Sequence, residues 1–422
     1  MTRALRHPNY RLFFGGQSVS LVGTWITRIA TSWLIYRLTG SELLLGVVGF
    51  CGQIPTLLVA PFAGVLVDRW DRHRILLVTQ ILSMVQSLAL AGLTLSGVVT
   101  VRSILMLQIV QGLINAFDTP ARQAFVVELV EDRADLSNAI ALNSSMVNGS
   151  RIIGPSIGGA LIAVVGEGWC FLADAVSYVF VIVSLLAIRV PRTRRRPVEA
   201  RVLAELKTGY RYVMASDPIR TALLLLAIVS ALGMPYTVLM PVIVSNVLHG
   251  GPSTLGLLMT ASGIGALAGA LYLASRESVV GLGRVSTIST IAFGAGLIAF
   301  AFTRSELVAL LVLPVVGAGL MVQMGSINTI LQTIVEDHLR GRVMAFYTMA
   351  FFGSAPIGSL MAGVAADRIG ARWTIASCGM ACVLGGLWFA RQLPSLRALV
   401  RPIYIDRGIL PVPAVDSGAK TL

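Results

Sequence analysis

Apolar residues gather along this chain into repeated stretches of about 20 residues, the length that crosses roughly 30 Å of hydrocarbon at about 1.5 Å per residue. The residue-by-residue alternation of barrel strands is missing, so the stretches predict helices. Twelve spans are predicted, over 12–36, 43–67, 75–96, 102–118, 138–165, 169–188, 220–245, 254–275, 285–303, 306–327, 343–365 and 373–391. Only the middle of the chain and its end lie outside them at any length, and neither is long enough to bury a core of its own. The expected architecture is an all-α membrane protein in two six-helix pseudo-repeats. It comprises a first bundle over 1–188, a basic linker over 189–219, a second bundle over 220–392 and a tail over 393–422. No short apolar region followed by a small-residue cleavage site opens the chain, so the first span is expected to be retained.

Composition removes the soluble classes: 55% apolar residues, 13% charged and a mean hydropathy of +0.81 leave more apolar surface than a soluble fold hides. Lys and Arg set the orientation, because positive loops stay on the cytoplasmic side. Of the 33, 26 fall on the side of the termini, Arg37, Arg102, Arg304, Arg368 and Arg372 fall on the other, and Arg28 and Arg151 lie within spans. Both termini are therefore expected in the cytoplasm, with the chain a multi-pass protein of the inner membrane. The net charge of +13 invites a nucleic-acid reading, but the run Arg189, Arg192, Arg194, Arg195 and Arg196 abuts a span end, where topology and anionic lipid account for it. Cys51, Cys170, Cys378, Cys382 and the scattered histidines lack metal-ligand spacing. A phosphate-binding loop needs a Gly-Lys pair, and neither Lys207 nor Lys420 follows glycine. Neither enzymatic activity, cofactor nor metal is expected.

Six spans, a charged linker and six more spans suit a duplicated, monomeric carrier whose substrate site lies between the halves near the midplane. A weak internal echo agrees: Leu129-Val130-Glu131-Asp132-Arg133 corresponds to Ile334-Val335-Glu336-Asp337-His338. Each is followed by a span with proline and close glycines, Gly154-Pro155-Ser156-Ile157-Gly158-Gly159 in the first half and Pro356-Ile357-Gly358 in the second. Proline removes a backbone donor, and glycines let a neighbouring helix approach. Gly154, Gly158 and Gly159 are expected to form a helix contact too close for side chains.

Between the second and third spans stands Gly64-Val65-Leu66-Val67-Asp68-Arg69-Trp70-Asp71-Arg72-His73-Arg74. It resembles the G-x-L-x-D-R-x-x-R-x-R signature of the major facilitator superfamily, with Asp71 in place of the usual glycine. The resemblance implies a cytoplasmic gate built on Gly64, Asp68, Arg69, Arg72 and Arg74, in which Asp68 and Arg72 pair across the halves or with Asp118. Asn9-Tyr10-Arg11-Leu12-Phe13-Phe14, Leu38-Thr39-Gly40-Ser41, Asp118-Thr119-Pro120-Ala121-Arg122-Gln123-Ala124 and Arg151-Ile152-Ile153-Gly154-Pro155 are similar to the enterobactin-exporter-like, multidrug-efflux branch of transmembrane secretion effectors. The Gly-Pro element resembles the antiporter motif of exporters, although Ser150 stands where that motif often has glycine. Gln108 precedes Gln111-Gly112 where many proton-coupled members carry arginine, so their coupling scheme does not transfer at that position.

Charges inside a membrane are costly and mark function by default. Three stand clear of span ends, Arg28, Arg151 and Asp174, all in the first half. The second half offers polar groups instead: Tyr236, Gln323, Asn328, Gln332 and Tyr347. Arg28 lies about 13 Å and Asp174 about 7 Å below the outer face at helical rise, so they are expected to be able to pair. Arg151 is open between a structural arginine and a pathway residue, and Asp174 between a buried hydrogen-bonding group and a proton carrier. The resemblance implies export of a small amphipathic compound, drug-like or a siderophore, by alternating access in exchange for protons. A proton-coupled importer and a transport-inactive sensor or scaffold are the alternatives, since fold alone does not fix function.

Overall fold

The computed structural model of the protein describes residues 3–130, 132–189 and 202–411; the arginines at 192 and 194–196 and the end of the tail lie outside them. Among the described residues every regular element is helical. Six long helices come first: α1 (Pro8–Thr39), α2 (Glu42–Arg69), α3 (Arg72–Leu95), α4 (Val101–Glu128), α5 (Arg133–Val165) and α6 (Glu167–Ala187). The short α7 (Val202–Ala215) precedes α8 (Asp217–Ile228), which runs through a π turn at Val229–Gly233 into α9 (Tyr236–Asn246). Then follow α10 (Pro252–Ala274), α11 (Leu282–Phe302) and α12 (Glu306–Ile334). The chain closes with α13 (Arg340–Thr348), a π turn at Met349–Gly353, α14 (Ser354–Ile369) and α15 (Ala371–Asp406).

Local chemistry sets the ends. Ser41 accepts from the Leu44 N–H to start α2, Thr100 and Ser103 form a reciprocal capping box on α4, and Pro8 and Pro252 occupy the first turns of α1 and α10. Gly40 (φ +61°) and Gly370 (φ +81°) reverse the chain between α1 and α2 and between α14 and α15, at angles that side chains resist.

Nine helical runs among the described residues are long and apolar enough to cross a membrane. The helices α1, α4 and α5 are as long, at 32, 28 and 33 residues, but polar groups including Arg28, Asp118 and Arg151 interrupt them. Leu58, Phe62, Val164, Leu186, Leu271 and Leu311 point outward, an apolar belt that water would not tolerate. Trp70, Trp169 and Trp373 stand exposed near helix ends, where indoles favour the membrane boundary.

Two boundaries differ from expectation. The helix α4 does not stop at Asp118 but continues through Pro120 to Glu128, because Ala121, Phe125 and Val126 remain buried, with Phe125 edge-on to Phe13. The segment from 393, expected as a tail, continues α15 to Asp406, since Leu396 and Val400 join a core with Val213 of α7 and Val343 of α13. A hydropathy drop caused by one charged face hid the apolar face behind it.

Within the first six helices, α1 packs on α5 and α6, α3 on α4 and α6, and α2 on α4; in the second group, α12 packs on α10 and α11, and α11 on α15. The groups meet where α5 lies against α10 and α2 against α14. Away from the termini one apolar core draws on both groups, with Ile29, Leu45 and Phe171 packed among Leu239, Ile243 and Phe300. At the terminal end there are two cores, one around Phe13, Phe125 and Leu185 and one around Leu226, Leu331 and Val343. The molecule is joined at one end and parted at the other.

Candidate functional site

Backbone contacts make the joined end. A Cβ added at Gly159 of α5 would lie 2.6 Å from the Pro252 carbonyl oxygen and 2.8 Å from the Gly256 Cα of α10. The same geometry recurs on the other flank, where a Cβ at Gly46 of α2 would lie 2.6 Å from the Ser359 carbonyl oxygen and 2.8 Å from the Gly363 Cα of α14. Tyr36 adds a polar bridge, its hydroxyl donating to Asn246 Oδ1 at 2.9 Å. The expected contact of Gly154, Gly158 and Gly159 is therefore divided. Gly154 faces Trp25 and the Val22 carbonyl, and Gly158 faces Ile26, all on α1, whereas Gly159, with the Pro155 carbonyl, meets α10. Residues four apart share a helix face, and the next residue is turned about 100° away. By contact, Gly154, Pro155 and Gly159 correspond to Gly358, Ser359 and Gly363, with Gly358 lying on the Ala231 carbonyl.

Asp174 of α6 is 1% exposed. Its Oδ2 accepts from Thr27 Oγ1 at 2.9 Å and Ser87 Oγ at 2.7 Å, while Oδ1 has no hydrogen-bond partner. The expected pairing with Arg28 is not formed. Thr27 and Arg28 are sequence neighbours about 100° apart on α1, so the hydroxyl turns to α6 and the guanidinium turns away. Arg28 Cζ instead lies 5.1 Å from the Trp25 ring centroid, and Arg151 Cζ of α5 approaches the same ring at 5.9 Å. Arg28 is exposed and Arg151 half-buried, and among the described residues neither guanidinium has a hydrogen-bond or carboxylate partner. Tyr236 of α9 is within electrostatic reach of Arg151 and shares a 2.8 Å hydrogen bond with Ser262. Arg28, Trp25, Arg151 and Tyr236 thus bring both groups to one central location.

At the parted end, Asp118 does not meet Arg72. It accepts from Thr79 Oγ1 at 3.0 Å and Gln80 Nε2 at 2.7 Å and lies 3.6 Å from Arg122. Arg72 donates to Glu128 Oε1 at 2.8 Å and, more weakly, to the Ala124 carbonyl, because the extended α4 brings its last turn beside the start of α3. The Asp68 side chain lies outside the described residues. Arg69 is exposed, Arg74 lies 3.9 Å from Asp71, and a Cβ at Gly64 would meet nothing within 4 Å. Asp71, where the signature has glycine, caps α3 by accepting from the Arg74 N–H. Glu128→Ala is expected to destabilise the protein by about 1.5–3 kcal/mol, the range for a hydrogen bond to a charged group. A thermal melt in detergent measures this, and an unchanged midpoint would show the pair to be inert.

The second group's candidates separate. Gln323 is fully buried with neither amide atom bonded, Asn328 accepts from Gln332 at 2.6 Å, and Tyr347 donates to the Met324 carbonyl at 3.3 Å. These lie on α12 and α13. Sequence reasoning missed Trp25, Thr27, Ser87, Glu128, Gly46, Gly256 and Gly363. One signal was available for α3: Thr79, Gln80, Ser83, Gln86 and Ser87 repeat at three to four residues, and all are buried. Such a stripe in an apolar helix marks a face turned to other helices.

An all-helical molecule of two packed groups, held together at one end by close backbone contacts, has the major facilitator fold. The chain matches the transmembrane secretion effector family over residues 2–402 and belongs to it. It is 27% identical over 374 residues to the staphyloferrin A transporter of Staphylococcus aureus, covering 88% of this chain and 93% of that protein. It is 28% identical over 411 residues to the multidrug efflux pump Tap of Mycolicibacterium fortuitum, covering 94% and 98% respectively. Among solved structures, a bacterial homologue of the human lysosomal transporter Spinster, inward-facing and unoccupied, matches with a TM-score of 0.74 at 14% identity, covering 98% of this chain and 100% of that one.

Proposed function

We propose that this transporter crosses the inner membrane twelve times with both termini in the cytoplasm, and exports a small amphipathic organic compound by alternating access in exchange for protons. The first bundle occupies 1–188, the linker 189–219 and the second bundle 220–392, each bundle moving largely as a body against the other. The observation that carries the reading is the division of the apolar core, fused away from the termini and split beside them. With the termini cytoplasmic, as the positive-charge bias favours, this is the inward-open state in which an exporter takes up its cargo. The staphyloferrin A transporter and the multidrug efflux pump among its relatives support a siderophore or a drug-like compound as that cargo. Asp174 is the proton site, working with Thr27 and Ser87 rather than with Arg28. Asp68, Arg69, Arg72 and Arg74 form the cytoplasmic gate of the outward-open state, and the protein works as a monomer in contact with lipid.

The test is transport of a panel of siderophores, staphyloferrin A among them, and of drug-like compounds into inside-out vesicles under a proton gradient. Accumulation that collapses on adding an uncoupler is expected. Accumulation only in right-side-out vesicles would make the protein an importer, and absence of transport by folded protein would leave a sensor or scaffold.

A further inference from the structure

We infer that Arg28, Trp25 and Arg151 form the anchoring site for the cargo, and that the cargo is an organic anion, a carboxylate carried on an aromatic or apolar body. The inference rests on the carrier reading and names its substrate class. Two guanidiniums sit against one indole ring, Cζ at 5.1 and 5.9 Å from its centroid, on helices α1 and α5 that pack together. They lie deep: Arg28 is about 16 Å from the end of α1 at Thr39, and Arg151 about 21 Å from the end of α5 at Val165, at helical rise. That places both near the middle of roughly 30 Å of hydrocarbon.

Charges there are normally paired with one another or with backbone carbonyls. These two repel each other, and the buried acids of the first group are engaged elsewhere. Asp174 of α6 is held by Thr27 of α1 and Ser87 of α3, Glu167 is bound by Arg37 through two hydrogen bonds of 2.8 and 3.0 Å, and Asp118 is held by Thr79 and Gln80. Arg28 nonetheless keeps an exposed side chain, so its donors are available to a visiting molecule. A guanidinium presents parallel N–H donors that match a carboxylate, and a second one makes the pair selective for negative charge. Trp25 supplies an apolar platform beside that charge, and Tyr236 of the second group, bonded to Ser262, is within electrostatic reach of Arg151. A cationic drug would meet two like charges there, and the buried acids of the first group among the described residues are already engaged.

The experiment uses the full chain in phosphatidylcholine vesicles and three probes of one shape: 2-naphthoate, 2-naphthamide and 2-naphthylmethylammonium. Equilibrium binding is expected to favour the anion over the amide by about tenfold, the scale of one charge-assisted hydrogen bond. Arg28→Gln and Arg151→Gln should each remove most of that preference, and an unchanged thermal midpoint in detergent shows that the fold is intact. Arg28→Lys and Arg151→Lys should retain part of it, since the charge remains and the fork is lost.

Equal binding of anion and amide by the wild type, or an unchanged preference in both glutamine variants, overturns the inference. So does displacement of naphthoate by phosphatidylglycerol in the vesicles with phosphatidylglycerol bound tightly in its place, which would make the arginines a lipid site. Ethidium transport without anion preference would remove this inference and leave the carrier reading standing. Anion-selective binding without transport of any probe would support the site and remove the carrier reading.

Discussion

Replacing Gly159 by leucine is expected to leave the protein folded but unable to close the end away from its termini, and so to abolish export. The atoms a new side chain would meet at this position, the Pro252 carbonyl and the Gly256 Cα, belong to backbone, so no rotamer change relieves the clash. Helix association in lipid rests on van der Waals contact at this kind of surface. Overpacking of a close contact costs about 1–3 kcal/mol, which corresponds to a shift of roughly fivefold to 150-fold in the conformational equilibrium towards the state with that end open. Gly363→Leu should act in the same direction, because Gly363 and Gly46 repeat the contact on the other flank. Gly158→Leu should behave differently: its side chain would meet Ile26 within the first group, lowering the stability of that group rather than selecting a state. Val183→Leu, on an exposed surface, is the neutral control. Spin labels at Leu38 and His249 would report the opening as a lengthened distance. An unchanged distance in Gly159→Leu with full export would show that the glycine pair is not a gate.

Asp174→Asn is expected to uncouple the carrier. Substrate should still exchange down its own gradient, while accumulation driven by a pH jump is lost. The carboxylate is fully buried, its Oδ2 is held by two hydroxyls, and its Oδ1 is unbonded. Among the described residues no cation pairs with it, so ionisation depends on hydroxyl groups, a costly arrangement inside a membrane. Asparagine keeps the shape and hydrogen-bonding capacity but cannot release a proton. Because Arg28 points elsewhere, Arg28→Gln should change affinity for cargo and leave the pH dependence of transport as it was. Retention of uphill transport with wild-type pH dependence in Asp174→Asn would make the residue structural and move the proton site elsewhere.

The sequence by itself determined the helical class, the membrane setting and the family. A helix in lipid must satisfy its backbone within its own segment, so stretch length and composition suffice to announce it, and the Gly64–Arg74 signature is contiguous. It also singled out Arg28, Arg151 and Asp174, because charge within an apolar run is conspicuous and expensive. It reached depth along each helix but not direction around the bundle. Arg28 and Asp174 were therefore matched by height, although α1 turns Thr27, and not Arg28, towards α6. Tertiary structure alone decided that Gly154 and Gly158 pack inside one group while Gly159 joins the two, that Arg72 meets Glu128, and that Arg28 and Arg151 converge on Trp25. It also decided that the segment after 393 stays helical, because Leu396 and Val400 find a partner core in α7 and α13 that no reading of a single stretch supplies. Each of these depends on which helix stands opposite, a relation between residues far apart in the chain that only packing settles.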